Sequence, residues 1–172
     1  MYRALSGSQG RTGWGYKGLT DFGWTVLASI RVTMALEEIK NKFEGNWQCV
    51  EIENMDPFLE AMGVNVIKRK AAAVLKPNLI ITVKDGKMEF VRKLPMKEVR
   101  NQFALDEEIE VSEDDHKYKA KVSYSDGKMM IELKAVDGKS KDNVVVREIE
   151  GENLIQTATC NGVIAKTIFK KS

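Results

Sequence analysis

A single histidine, His116, and two cysteines, Cys49 and Cys160, are the whole supply of imidazole and thiol in this 172-residue chain. His116 ends the charged run Glu113-Asp114-Asp115-His116 and reads as a surface histidine in a turn. No Gly-x-Ser-x-Gly elbow and no metal-ligand spacing accompanies it. The cysteines fall in strand-like segments and read as small packing residues. Two of them cannot form a disulfide scaffold, and they suit a reducing compartment. The expectation is therefore a protein that is not an enzyme and that carries no metal and no cofactor. Two other polar residues stand on apolar faces. In Val145-Arg147-Ile149 an arginine alternates with aliphatics, and in Leu154-Gln156-Ala158 an amide does. Strand side chains alternate between faces, so each is either directed inward or merely solvated. A guanidinium turned inward could meet a carboxylate bidentately.

What must position such residues is a soluble globular body. Charged residues make up 30% of the chain and hydrophobic ones 43%, with mean hydropathy −0.31. That composition fits neither a disordered nor a membrane-spanning chain. The net charge of +2 gives no nucleic-acid footprint. Residues 1–33 differ from the rest. They hold six of the thirteen glycines, and four basic residues (Arg3, Arg11, Lys17, Arg31) against Asp21 alone. The apolar run from Phe22 to Ile30 falls well short of the roughly 20 residues a membrane span needs. The segment reads as a flexible glycine-rich extension, 1–33, ahead of a body at 34–172 that opens on Met34. Targeting is the other reading.

The body is patterned for hairpins. Asp85-Gly86, Asp126-Gly127, Asp137-Gly138, Glu150-Gly151 and Asn161-Gly162 are turn signals whose residues tolerate positive φ. They separate expected strands at 46–53, 78–84, 87–93, 99–103, 107–112, 117–125, 128–136, 143–149, 153–160 and 163–170. One region differs. Asp56 as N-cap and Pro57 at the first helical position precede Phe58, Leu59 and Met62 at helical spacing, and 66–75 forms a second short helix ended by Pro77. The order is one strand, a helix pair, then nine strands. A long meander disposes of its edges most simply by closing. Ten strands enclose more space than side chains easily fill, so an internal cavity is expected, lidded by the helix pair. A β-sandwich is the other arrangement open to this pattern.

Phe43-Glu44-Gly45-Asn46-Trp47 resembles the opening strand of the intracellular lipid-binding proteins, the fatty acid-binding protein family. Met62 to Lys70 (Met-Gly-Val-Asn-Val-Ile-Lys-Arg-Lys) resembles that family's helix-turn-helix, particularly in its intestinal type. Val146-Arg147-Glu148-Ile149, Leu154-Ile155-Gln156-Thr157 and Ile168-Phe169-Lys170-Lys171 resemble its last three strands. The resemblance runs from Lys42 to Ser172. It implies an all-β fold with a small helical cap, a ten-stranded antiparallel up-and-down β-barrel (β-clam, lipocalin-like) under a helix-turn-helix lid. It also implies a monomeric cytoplasmic carrier that binds long-chain fatty acids reversibly. Bulkier ligands, such as a bile acid or retinoid, are the alternative.

Under the resemblance Arg147 is the internal carboxylate partner and Gln156 the internal glutamine. The family's second internal arginine falls at Thr167, which removes a positive charge. Its tyrosine falls at Phe169, as in the intestinal type, and its internal tryptophan at Ser123, which gives up apolar surface. Carrying the alignment through 128–136 turns Glu132 and Lys134 inward, where Lys134 would replace the missing cation. A slip of one residue would instead put both in water and Ile131, Leu133 and Ala135 inside. Phe58, Leu59, Met62 and Met96 are expected near the entrance, with Phe103 and Trp47 at the barrel floor. Lys68, Arg69 and Lys70 form a basic cluster on the lid suited to transient contact with anionic membranes.

Overall fold

The computed structural model describes residues 17–113 and 116–172, so the expected turn at Asp114-Asp115 and the first part of the leader lie outside the described residues. Helix α1 (Lys17–Phe43) leads into β1 (Gly45–Glu53), and α2 (Met55–Ala61) and α3 (Val66–Val74) follow. Nine strands complete the chain: β2 (Asn78–Lys84), β3 (Lys87–Leu94), β4 (Lys97–Phe103), β5 (Glu108–Glu113), β6 (His116–Ser125), β7 (Lys128–Ala135), β8 (Asn143–Glu150), β9 (Asn153–Cys160) and β10 (Val163–Lys171). They form one antiparallel sheet in the order β4-β3-β2-β1-β10-β9-β8-β7-β6-β5. Pairing of β1 with β10 nearly closes it into a barrel, and the seam between β4 and β5 has no ladder.

Local chemistry explains the corners. Asp85-Gly86, Asp126-Gly127 and Asn161-Gly162 each place two successive residues at positive φ, the requirement of a two-residue type I′ hairpin. Asp137-Gly138 does otherwise. Only Gly138 is at positive φ there, and Asp137 organises a longer loop. Its Oδ1 accepts from the backbone N–H of Lys139 (2.9 Å) and of Ser140 (2.8 Å), and its Oδ2 from that of Lys117 (3.0 Å). In β1 a bulge between Cys49 and Glu51 bends the strand, so that Gly45–Gln48 pair with β2 while Trp47–Glu53 pair with β10.

Helices close the two ends. The C-terminal part of α1 buries Leu36, Ile39 and Phe43, spaced for one helical face. Phe43 meets Tyr124 edge-on at 6.3 Å, and its carbonyl accepts from Trp47 Nε1 at 2.8 Å. At the other end α2 lays Phe58 on Ala158, Cys160 and Ala165. Its cap differs from expectation. Asn54, in the left-handed region, precedes the helix and spends its side-chain amide on Ile164 O (2.6 Å), while Asp56 sits in the first turn. Arg69 Nη1 reaches Glu60 at 2.8 Å and its Nε lies 3.5 Å from Asp56, tying α3 to α2.

Within the leader, α1 begins at Lys17 and takes Gly18 and Gly23 into the helix. Packing of Leu36, Ile39 and Phe43 secures one end of α1, and extending a formed helix costs far less than nucleating one. Contact density divides the chain between Arg31 and Val32, inside α1.

Candidate binding site

Arg147 lies in the middle of β8, with β7 and β9 paired on either side. Alternation along β8 turns Val145, Arg147 and Ile149 to the interior, and Val145 and Ile149 pack against the main core. The side chain is 8% exposed. Its Nε donates to Gln156 Oε1 at 2.9 Å, directly across the β8–β9 register. Its guanidinium stacks over the Phe90 ring at 4.7 Å, a cation–π contact with β3 on the facing wall. Nη1 is buried and has no partner. Desolvation, then repulsion from Arg92, press its pKa down to about 9, with Glu113 acting in the opposite sense. At neutral pH it is a cation in a poor solvent, short of one hydrogen-bond acceptor.

The surroundings grade from apolar to polar. Register carries the site from Gln156 to Thr167, which is 4% exposed. Phe169 stands two residues on against Leu154, both buried in the main core. Phe103 packs on Phe90 at 5.2 Å, with Trp47 in the same core. Val145, Ile149 and Gln156 point inward from doubly flanked strands yet remain only half-buried, so the interior at their level is not filled solid.

Two expected site residues on the strands lie elsewhere. On β6 the buried side chains are Tyr118, Ala120 and Val122, so Ser123 faces out, opposite the exposed Met130. On β7 Met129 and Ile131 are buried, with Leu133 and Ala135 packed against them, and Lys134 is exposed opposite Lys119. One slip in phase accounts for both corrections, because a shift of one residue exchanges the faces of a strand. Hydrophobic alternation in Met129-Ile131-Leu133 was the better guide than the alignment. At the entrance, Phe58 is buried beneath the lid and Met62 is half-buried between the two clusters, whereas Met96 is fully exposed on its turn and lines nothing. Arg69, with only 11% of its side chain exposed, is committed to α2 and leaves the basic cluster.

Sequence reasoning missed Arg92 and Glu113. Met88, Phe90 and Arg92 share the inner face of β3, and Val111 and Glu113 that of β5. Arg92 Nη2 meets Glu113 Oε2 at 3.1 Å. The period-two signal in Met88-Phe90-Arg92 was readable, but Glu113 lies one residue past the expected strand end. His116 also has partners that its sequence neighbours hide. Its Nδ1 lies 2.8 Å from Ser140 Oγ and 3.6 Å from Asp137 Oδ2. Ser140 Oγ donates to Asp137 (2.7 Å), so its proton faces a carboxylate rather than the imidazole. That arrangement fastens the loop after β7 to β6. Burial raises the pKa of both cysteine thiols, away from a reactive thiolate. Among the described residues no group of three or more His, Cys, Asp or Glu could hold a metal. Nor is any helix there long and apolar enough to cross a membrane.

Residues 44–172 match the profile of the Lipocalin / cytosolic fatty-acid binding protein family. The chain belongs to this family. It is 33% identical over 129 residues to fatty acid-binding protein homolog 5 of Caenorhabditis elegans, covering 74% of this chain and 95% of that protein. With the intestinal fatty acid-binding protein of Rattus norvegicus it shares 35% identity over 130 residues, 75% of this chain and 98% of that one. Among solved structures, the Schistosoma mansoni fatty acid binding protein in complex with arachidonic acid is similar at TM-score 0.71 and 25% identity, over 80% of this chain and 98% of that chain. Caenorhabditis elegans lipid binding protein 8, in its apo form, reaches 0.72 at 26% identity, over 76% and 95%. The family match opens at Glu44, so all of α1 precedes the segment held in common.

Proposed function

We propose that this chain binds long-chain fatty acids non-covalently inside the barrel and carries them through the cytosol as a monomer, without chemical change to the ligand. One observation carries the reading: Arg147 is a buried cation with an unpartnered Nη1 above an apolar interior. A fatty acid brings what is lacking. Its chain contributes about 0.8 kcal/mol per buried CH₂, before ordering and association costs. Its carboxylate supplies the missing acceptor. Gln156 holds the guanidinium in place through Nε and leaves the other edge for the ligand. The named fatty acid-binding relatives and the arachidonic acid complex of the schistosome protein support the same ligand class. The Ser140–Asp137 hydrogen bond and the raised cysteine pKa values support binding without catalysis.

Displacement of a fluorescent fatty acid tests the role of Arg147. Arg147→Gln is expected to weaken oleate by about 1.5–3 kcal/mol, the range of a charge-assisted hydrogen bond. Unchanged affinity would place the head group elsewhere. The reading of a bulkier ligand had two motives, and the outward Ser123 removes one. The uncharged Thr167 remains. Mass spectrometry of co-purified lipid separates the two, since a sterol or retinoid would replace the fatty acid reading. Contact with anionic membranes now rests on the exposed Lys70 and Ile67 of α3 rather than on Arg69.

A further inference from the structure

The carrier reading assigns one cation to the ligand, but a second arginine, partly exposed, stands on the inner face of the barrel wall. Arg147 crosses from β8 to lie over Phe90. Arg92 is the next inward residue along β3, about 6.5 Å farther on by strand geometry. Its backbone register sets it between Leu79 of β2 and Val99 of β4. Its Nη2 is paired with Glu113 of β5, while its Nε is buried and has no partner. Arg92 pairs with Glu113, whose charge also acts on Arg147, and the two arginines with that one carboxylate carry one uncompensated positive charge. Each has one buried donor without an acceptor: Nη1 of Arg147 and Nε of Arg92.

We propose that Arg92 is a second head-group residue, so that a ligand carboxylate is held jointly by Arg147 and Arg92, with Glu113 as the resident anion that competes for Arg92. The inference rests on the carrier reading and refines its site. A carboxylate has two oxygens and accepts from both orphaned donors at once. Its single charge balances the pair of arginines against Glu113. Thr167 leaves the β10 side of Gln156 without a cation, and Arg92 supplies a second one from β3. Selection then follows for a monoanionic head over a neutral one of equal chain length.

The test compares oleate with oleyl alcohol, two probes that differ in the head group alone, on the full chain. Arg92→Gln is expected to weaken oleate about tenfold and leave oleyl alcohol within a factor of two, about the effect of losing one charge-assisted hydrogen bond. Glu113→Gln is expected to strengthen oleate severalfold with no gain for the alcohol. In the double variant the gain from Glu113→Gln disappears, because its competitor's target is gone. An unchanged acid-to-alcohol ratio in Arg92→Gln overturns the proposal, as does an equal gain for both probes in Glu113→Gln. Should Arg92→Gln not fold, Glu113→Gln alone decides, since it keeps both cations. A wild-type protein that binds neither probe refutes the carrier reading itself. A wild-type preference for oleate that survives in Arg92→Gln refutes only the second arginine.

Discussion

Asp137 is a small example of how one carboxylate can organise two strands. Four donors converge on it: the backbone N–H groups of Lys117, Lys139 and Ser140, and the hydroxyl of Ser140. Each favours the ionised form, which holds its pKa well below the usual carboxylate range. In the unfolded chain the same group titrates at about 4. Between those limits the unfolded chain binds more protons, so stability falls as pH falls through that interval. Asp137→Asn cannot be protonated there and offers one acceptor oxygen instead of two. The variant is expected to be less stable at neutral pH but to lose less on acidification. Urea midpoints at neutral pH and at about pH 3, below the unfolded pKa, check this. A wild-type and variant difference that stays constant with pH would show that Asp137 does not titrate differently in the two states. Arg147 illustrates the complementary case, a charge whose surroundings oppose it and whose Nη1 has no partner.

At the scale of elements, legibility followed the range of the interactions concerned. The hairpins were readable because Asp85-Gly86, Asp126-Gly127 and Asn161-Gly162 act within four residues, and alternation between them is local. For Arg147 and Gln156 period two narrowed the choice to inward or solvated, and the inward expectation came from the resemblance. The phase of β7 stayed open because the alignment and the hydrophobic alternation of Met129-Ile131-Leu133 pointed to opposite faces. The loop at Asp137 was lost because side-chain hydrogen bonding competes with a hairpin turn there. Helix α1 was not readable at all. What holds it is tertiary, namely Leu36, Ile39 and Phe43 against the end of the barrel. Phe43→Ala is therefore expected to cost about 3–5 kcal/mol, the range for emptying a buried aromatic site. Trp24→Ala, on the same helix but 73% exposed, should fall within about 0.5 kcal/mol of wild type. Chemical denaturation of the two variants separates them. Equal losses would show that burial of Phe43 does not anchor the helix.

For the whole molecule, the seam between β4 and β5 sets where the barrel can open. Every other neighbouring pair of strands is joined by a ladder, including β1 with β10, which brings the two ends of the sheet's sequence together. Across the seam the described links are few and lie between side chains. Arg92 of β3 reaches Glu113 of β5, and both side chains are partly exposed (42% and 35%). An ion pair with that exposure contributes at most about 1 kcal/mol, far less than a ladder. Backbone groups on the seam edges of β4 and β5 thus lack the partners that β9 finds in both β8 and β10. Local opening should start there, in the part of the barrel wall nearest the Arg92–Glu113 pair, which would let a ligand's head group reach the interior without unfolding the ladder. Hydrogen–deuterium exchange on the intact chain is expected to label Lys97–Phe103 and Glu108–Glu113 at least about tenfold faster than Asn153–Cys160 and Val163–Lys171. Equal protection of the two sets would mean that the seam is bridged in solution and that entry must occur through the helical lid instead.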